Sequence, residues 1–116
     1  MKISICIPTW EQHGFGYQYL KELLDTIKTQ NYKNFNVIIS DHSINNDILD
    51  LTKAYSFEIV YLRNPNNVGN GPANTNNAIK NADGDVIKIM FQDDLFFNNN
   101  ALTIINRFFS SNYNRK

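Results

Sequence analysis

One cysteine in 116 residues excludes an internal disulfide. Cys6 lies between Ile5 and Ile7, the setting of a buried, inert thiol, and a reducing compartment suits it. Excess charge of either sign is also lacking. Eleven basic residues offset eleven acidic ones, so nothing argues for nucleic acid or an anionic membrane as partner. No apolar run approaches the ~20 residues of a membrane span. The apolar stretch 3–7 is too short for a signal peptide, and Pro8, Trp10 and Glu11 end it without a small-residue cleavage site. The expectation is a cytoplasmic protein. His13 and His42 have no cysteine or second histidine nearby in sequence, which argues against zinc, and both read as solvent-facing loop residues. A nucleophile elbow, a Walker-type Gly-Lys-Ser/Thr and a Cys–His pairing are all missing, so covalent catalysis has no candidate.

What is present is a globular composition, 42% hydrophobic with 13% aromatic residues, enough for the core of one domain over residues 1–116. Four apolar runs read as strands: 2–7, 35–40, 57–62 and 85–91. The first, second and fourth are nearly continuous rather than alternating, the pattern of strands covered on both faces. Helical spacing fills the gaps. Segment 17–30 carries Leu20, Leu23, Leu24 and Ile27 on one face, and 44–55 carries Ile48, Leu51 and Tyr55. Segment 72–81 opens on Pro72, which suits a first helical turn, and 102–109 presents Ile105, Phe108 and Phe109. The tail 110–116 is polar and expected to fray. Strand–helix alternation predicts an α/β fold, Rossmann-like and doubly wound, with a mainly parallel sheet of about four strands and helices on both faces. No internal repeat or low-complexity linker interrupts it.

In such a sheet the carboxyl ends of the strands carry the function. Each end here is polar or conformationally special: Pro8-Thr9-Trp10-Glu11, Asp41-His42-Ser43, the long loop 63–72 with Asn67, Gly69 and Gly71, and Gln92-Asp93-Asp94. Parallel strands bring all four to one rim. Asp41 reads equally as a cap for the helix that follows, and Asp93 and Asp94 as first-turn residues favoured by a helix dipole. Two adjacent carboxylates repel, however, and a divalent cation shared with a diphosphate relieves that. Gly69 and Gly71 do not form a dinucleotide fingerprint, since they neither join a strand directly to a helix nor have a third glycine. They suit a sharp turn or close approach of backbone to a ligand. Trp10 reads either as a stacking surface for a base or sugar or as rim packing.

Taken in order, these segments resemble the N-terminal, nucleotide-sugar-binding half of the family 2 glycosyltransferases of the GT-A fold. Ile3 to Trp10 looks like the family's first strand and Pro-Thr-Tyr-Asn turn, and Ile27 to Tyr32 like its Ser-Leu-x-x-Gln-x-Tyr element. Asn36 to Ser43 is similar to the second strand with its Asp-Asp-Gly-Ser turn. Asn67-Val68-Gly69 with Asn76, Ala78, Ala82 and Gly84 resembles the Asn-Gly segment, and its spacing places Asp93 as the second aspartate of Asp-x-Asp. The resemblance covers nearly the whole chain and implies binding of a nucleotide-diphosphate sugar, a UDP-sugar first among them.

It implies roles residue by residue. Pro8, Thr9, Glu11 and Asp41 would hold the base, and Asn67, Gly71 and Asn76 the ribose and diphosphate. Gln92 and Asp93 would close the donor site, with Mn²⁺ or Mg²⁺ on Asp93 and Asp94. In the family the acceptor, a saccharide or lipid-linked sugar, and the general base belong to a second half, so no catalytic residue is assigned here. Several positions depart from the pattern. Phe91 stands where the first aspartate of Asp-x-Asp lies, Ser40 and His42 replace an aspartate and a glycine of the second turn, and Glu11 replaces an asparagine. An exposed sheet edge or apolar surface is expected, which a second copy would cover. The rival expectation is a non-catalytic α/β module that binds a nucleotide or a protein.

Overall fold

The structure, a computed structural model, describes residues 1–112. Four strands form one parallel sheet: β1 (Ile3–Thr9), β2 (Phe35–Asp41), β3 (Ile59–Arg63) and β4 (Val86–Ile89), in the order β3-β2-β1-β4. β1 and β2 are buried along their whole length, including the polar Ser4, Thr9, Asn36, Ser40 and Asp41 among their apolar residues. The chain winds outward from β1 through β2 to β3, then returns to the other side of β1 for β4. That reversal puts the switch point between β1 and β4, where the carboxyl ends of the strands leave a crevice.

Four helices cover the sheet: α1 (Phe15–Lys28), α2 (Asp47–Thr52), α3 (Gly71–Lys80) and α4 (Ala101–Asn112). On one face Leu20, Leu23, Leu24 and Ile27 of α1, Ile48 and Leu51 of α2, and Leu102 of α4 pack on Ile3, Ile5, Ile7, Val37 and Ile39. Each such side chain taken fully out of water contributes about 1.5–3 kcal/mol. On the other face Ala78 of α3 meets Cys6 and Ile38, with Val60, Leu62 and Ile79 beside them. Burial pushes the Cys6 thiol up to about 11, consistent with an inert core residue. Gly84 packs so tightly that a Cβ there would lie 2.6 Å from the Ser4 nitrogen, which explains a glycine at the entry to β4. No helix among the described residues is long and apolar enough to cross a membrane.

The structure departs from the sequence expectations at four elements. β4 is an edge strand, shorter than 85–91, with Ile87 and Ile89 about 40% exposed, so its apolar run does not mark a strand covered on both faces. β3 starts at Ile59 rather than at 57; Phe57 lies outside it, its ring tilted against those of Phe35 and Tyr55. α2 spans only Asp47–Thr52 and leaves Ile44 fully in solvent. In α4 it is Leu102 that is buried, while Phe108 and Phe109 lie exposed, edge to face on one another. The helix also runs past 109 through residues expected to fray; 113–116 lie outside the described residues.

Candidate functional site

Residues from the ends of β1, β2 and β4 and from the loop that leads into α3 meet at the switch point. A crevice of about 200 Å³ is lined by Pro8 and Thr9 at the end of β1 and Trp10 just after it, Gly69 and Gly71 before and at the start of α3, and Phe91 and Gln92 after β4. His42 and Asn74 complete its wall. The amino end of α3 opens on it. Asn70 caps that helix, its side chain accepting from the Ala73 N–H at 3.0 Å, and Pro72 occupies its first turn. Gly71 has open space beside it, so a ligand meets bare backbone there. Pro72 has no N–H and the Ala73 N–H is taken by Asn70, so this helix end offers an anion the Gly71 N–H together with the helix dipole.

A buried polar lattice fixes this rim. Asp41 is fully buried, and one oxygen accepts from the Thr9 hydroxyl at 2.9 Å, the Ser43 N–H at 3.1 Å and the Ser43 hydroxyl at 2.6 Å. Its other oxygen accepts from the Tyr61 hydroxyl at 2.5 Å. Asp41 is therefore neither the cap of α2 nor a group open to a ligand; it holds together the ends of β1, β2 and β3. The residue expected to face a base thus sits within the scaffold of the rim, fully buried and with both carboxylate oxygens engaged. Asn74, 2% exposed, does the same for α3: its amide donates to the Thr9 and Ser40 carbonyls and accepts from Ser40 and Asn64.

The nominated residues divide into a scaffold and an open set. Thr9 gives its hydroxyl to Asp41, and the Gln92 amide spans the Trp10 backbone, accepting from its N–H at 3.0 Å. Glu11 accepts from the Gly14 and Tyr17 N–H groups at 2.7 and 2.8 Å, so it caps α1 in place of a side-chain N-cap and lines a different depression, with Asp47 and Asp50. Asn67 and Asn76 share a further depression of about 250 Å³ with Asn64 and Lys80 rather than the crevice itself. Asp94 folds back to accept from the Phe91 N–H at 2.8 Å. Asp93 is exposed and its carboxylate has no partner among the described residues.

Whether these residues suit a divalent cation follows from that inventory. Among the described residues no three of His, Cys, Asp and Glu cluster as a cage. Asp93 is free and Asp94 keeps one oxygen unengaged, a set that suits a cation arriving with diphosphate oxygens and water rather than one held by protein alone.

Three features of the rim escaped the sequence. His42 is buried, 4% exposed, and not a solvent-facing loop residue as expected. Asn74 was one asparagine among many in the 64–77 stretch. Phe91, 54% exposed, lines both the crevice and an adjoining apolar slot with Ile79 and Ile89. His13, by contrast, is exposed as expected.

The sequence profile of Glycosyl transferase family 2 matches residues 4–114. The chain belongs to this family. An uncharacterised glycosyltransferase of Rickettsia conorii is 34% identical over 99 residues, 83% of this chain and 15% of the relative. Another, from Methanocaldococcus jannaschii, is 33% identical over 97 residues, 80% of this chain and 32% of the relative. Among solved structures, Staphylococcus aureus TarS 1–349 superposes with a TM-score of 0.82 at 23% identity, over 97% of this chain and 33% of that one. TarS 1–349 has also been solved in complex with UDP-GlcNAc. Mannosyltransferase PcManGT from Pyrobaculum calidifontis, solved in complex with GDP-Man and Mn²⁺, gives a TM-score of 0.71 at 19% identity, over 93% of this chain and 32% of that one. These likenesses establish the GT-A type of fold. The chain spans about a third or less of the length of each of these proteins.

Proposed function

We propose that this family 2 glycosyltransferase chain is the donor-binding portion of an inverting, metal-dependent transferase that takes a sugar from a nucleotide-diphosphate sugar. The observation that carries the reading is the crevice at the β1/β4 switch point, onto which the amino end of α3 opens. The diphosphate lies at Gly71, the base against the turn of Pro8, Thr9 and Trp10, and Asn67 and Asn76 reach the ligand from the adjoining depression. Asp93, with Asp94, would hold Mn²⁺ or Mg²⁺. Such a cation neutralises charge on the leaving diphosphate. A UDP-sugar is the proposed donor, since the TarS complexes hold UDP-GlcNAc and UDP. The acceptor is a saccharide or lipid-linked sugar in polysaccharide or glycoconjugate synthesis, and the setting is the cytoplasm. Acceptor binding and the general base are assigned to no residue of this chain, which alone binds donor weakly and transfers little.

A thermal-shift panel of nucleoside diphosphates with Mn²⁺ tests this. A ligand that binds only the folded state stabilises by about 1.4 kcal/mol at tenfold over its Kd, which for a domain of this size raises Tm by roughly 4–8 °C. One nucleotide should produce that shift and the others much less. A flat panel would favour the non-catalytic protein-binding module.

A further inference from the structure

His42 directly follows β2, and the structure buries it in the rim. Its Nδ1 lies 3.3 Å from the Gly69 nitrogen and its Nε2 3.1 Å from the Asn66 carbonyl. A backbone N–H can only donate, so Nδ1 is the acceptor and carries no proton. The ring proton is then on Nε2 and is donated to Asn66. Asn64, whose amide nitrogen lies 3.3 Å from Nε2, finds its acceptor in Asn74 instead. One imidazole thus grips two points of the 64–70 loop.

That loop needs gripping. Asn67 and Gly69 both lie in the left-handed region, at φ 54° and 90°, a conformation that surrounding contacts must hold for the asparagine. Its other ties are Asn64 N–H to the Asp41 carbonyl at 2.8 Å and the Asn64 amide to Asn74 at 3.2 Å at one end, and within it Asn66 N–H to the Asn64 side chain at 3.2 Å and Asn70 N–H to the Asn67 carbonyl at 2.9 Å. Trp10 closes the arrangement, its ring edge-on to His42 at 6.4 Å and against Gly69, where a Cβ would sit 3.5 Å away. Helix α3 begins two residues beyond Gly69. The charged neighbours are directed elsewhere: Asp41 to Thr9, Ser43 and Tyr61, and Arg63 to the Ser43 and Asn45 carbonyls and the Asn46 side chain.

We infer that His42, as its neutral Nε2–H tautomer, is a positioning residue that sets the shape of the 64–70 loop and so presents the amino end of α3 to the diphosphate. The ligand in this statement rests on the donor-site reading; the latch itself does not. Long-range proton–nitrogen spectra of the ¹⁵N-labelled chain should show His42 as the Nε2–H tautomer, and the Nδ1–H form would overturn the proposal without any variant. His42→Leu keeps bulk but no acceptor, whereas His42→Asn keeps an acceptor near the Nδ1 position. The Gly69 amide should exchange faster in His42→Leu and stay protected in His42→Asn. Calorimetry with UDP and Mg²⁺ should show about a tenfold loss of affinity in His42→Leu, largely restored in His42→Asn. Equal Gly69 exchange in wild type and both variants would sink the latch. A wild-type chain that binds no nucleotide would remove the donor reading, while Gly69 protection would still decide the latch.

Discussion

Asp41→Ala should destabilise the folded chain by about 3 kcal/mol, since it strips a buried acceptor from four donors at once. Thr9, Ser43 through both N–H and hydroxyl, and Tyr61 all lose their partner, and Thr9 and Ser43 are buried away from water that could replace it. Asp41→Asn should cost less, because its amide oxygen keeps the three donors on one side and the Tyr61 hydroxyl can turn to accept. The Tyr61 phenol is held above its ordinary range, by burial first and by its bond to Asp41 second. Its proton is therefore bound more tightly in the folded state, so this contribution is complete below about pH 10 and is lost as pH rises beyond that. Urea unfolding at constant slope provides the check. A midpoint unchanged in Asp41→Ala would show that the lattice does not hold the strand ends together.

Asp93→Ala has the opposite signature: folding untouched, binding impaired. Its carboxylate is exposed and makes no bond among the described residues, so its removal should leave the urea midpoint in place. UDP affinity measured with Mn²⁺ should fall about tenfold or more, to the value the wild type shows without metal. Asp94→Ala should fall less, since one of its oxygens already serves the Phe91 N–H. Equal heats for wild type and Asp93→Ala, with and without Mn²⁺, would end the metal assignment.

These two aspartates show what the sequence could and could not convey. Both were legible as polar tips at the ends of apolar runs, Asp41 closing β2 and Asp93 following β4. Their different fates were not. Whether a carboxylate at a strand end faces a ligand or its own neighbours depends on Ser43 in the loop just after it and on Thr9 and Tyr61 of β1 and β3. Glu11 illustrates the same limit: α1 begins after Gly14, which has no side chain with which to cap, and Glu11 bends forward to supply one. His42 was read as exposed because nothing local predicts that Trp10 and the 64–70 loop will close over it. The apolar run of β4 suggests a strand covered on both faces, yet Ile87 and Ile89 are about 40% exposed on an edge strand, which has the same composition.

The most direct test is amide NMR of the ¹⁵N-labelled chain titrated with UDP, first with Mg²⁺ and then with a trace of Mn²⁺. Shifts should gather at Trp10, Gly69, Gly71 and Gln92, and paramagnetic broadening should be strongest at Asp93 and Asp94 and appear only once the nucleotide is present. Shifts confined to Gly14, Tyr17, Asp47 and Asp50, or broadening at Asp93 that ignores the nucleotide, would contradict a shared seat for cation and diphosphate at the junction of β1 and β4.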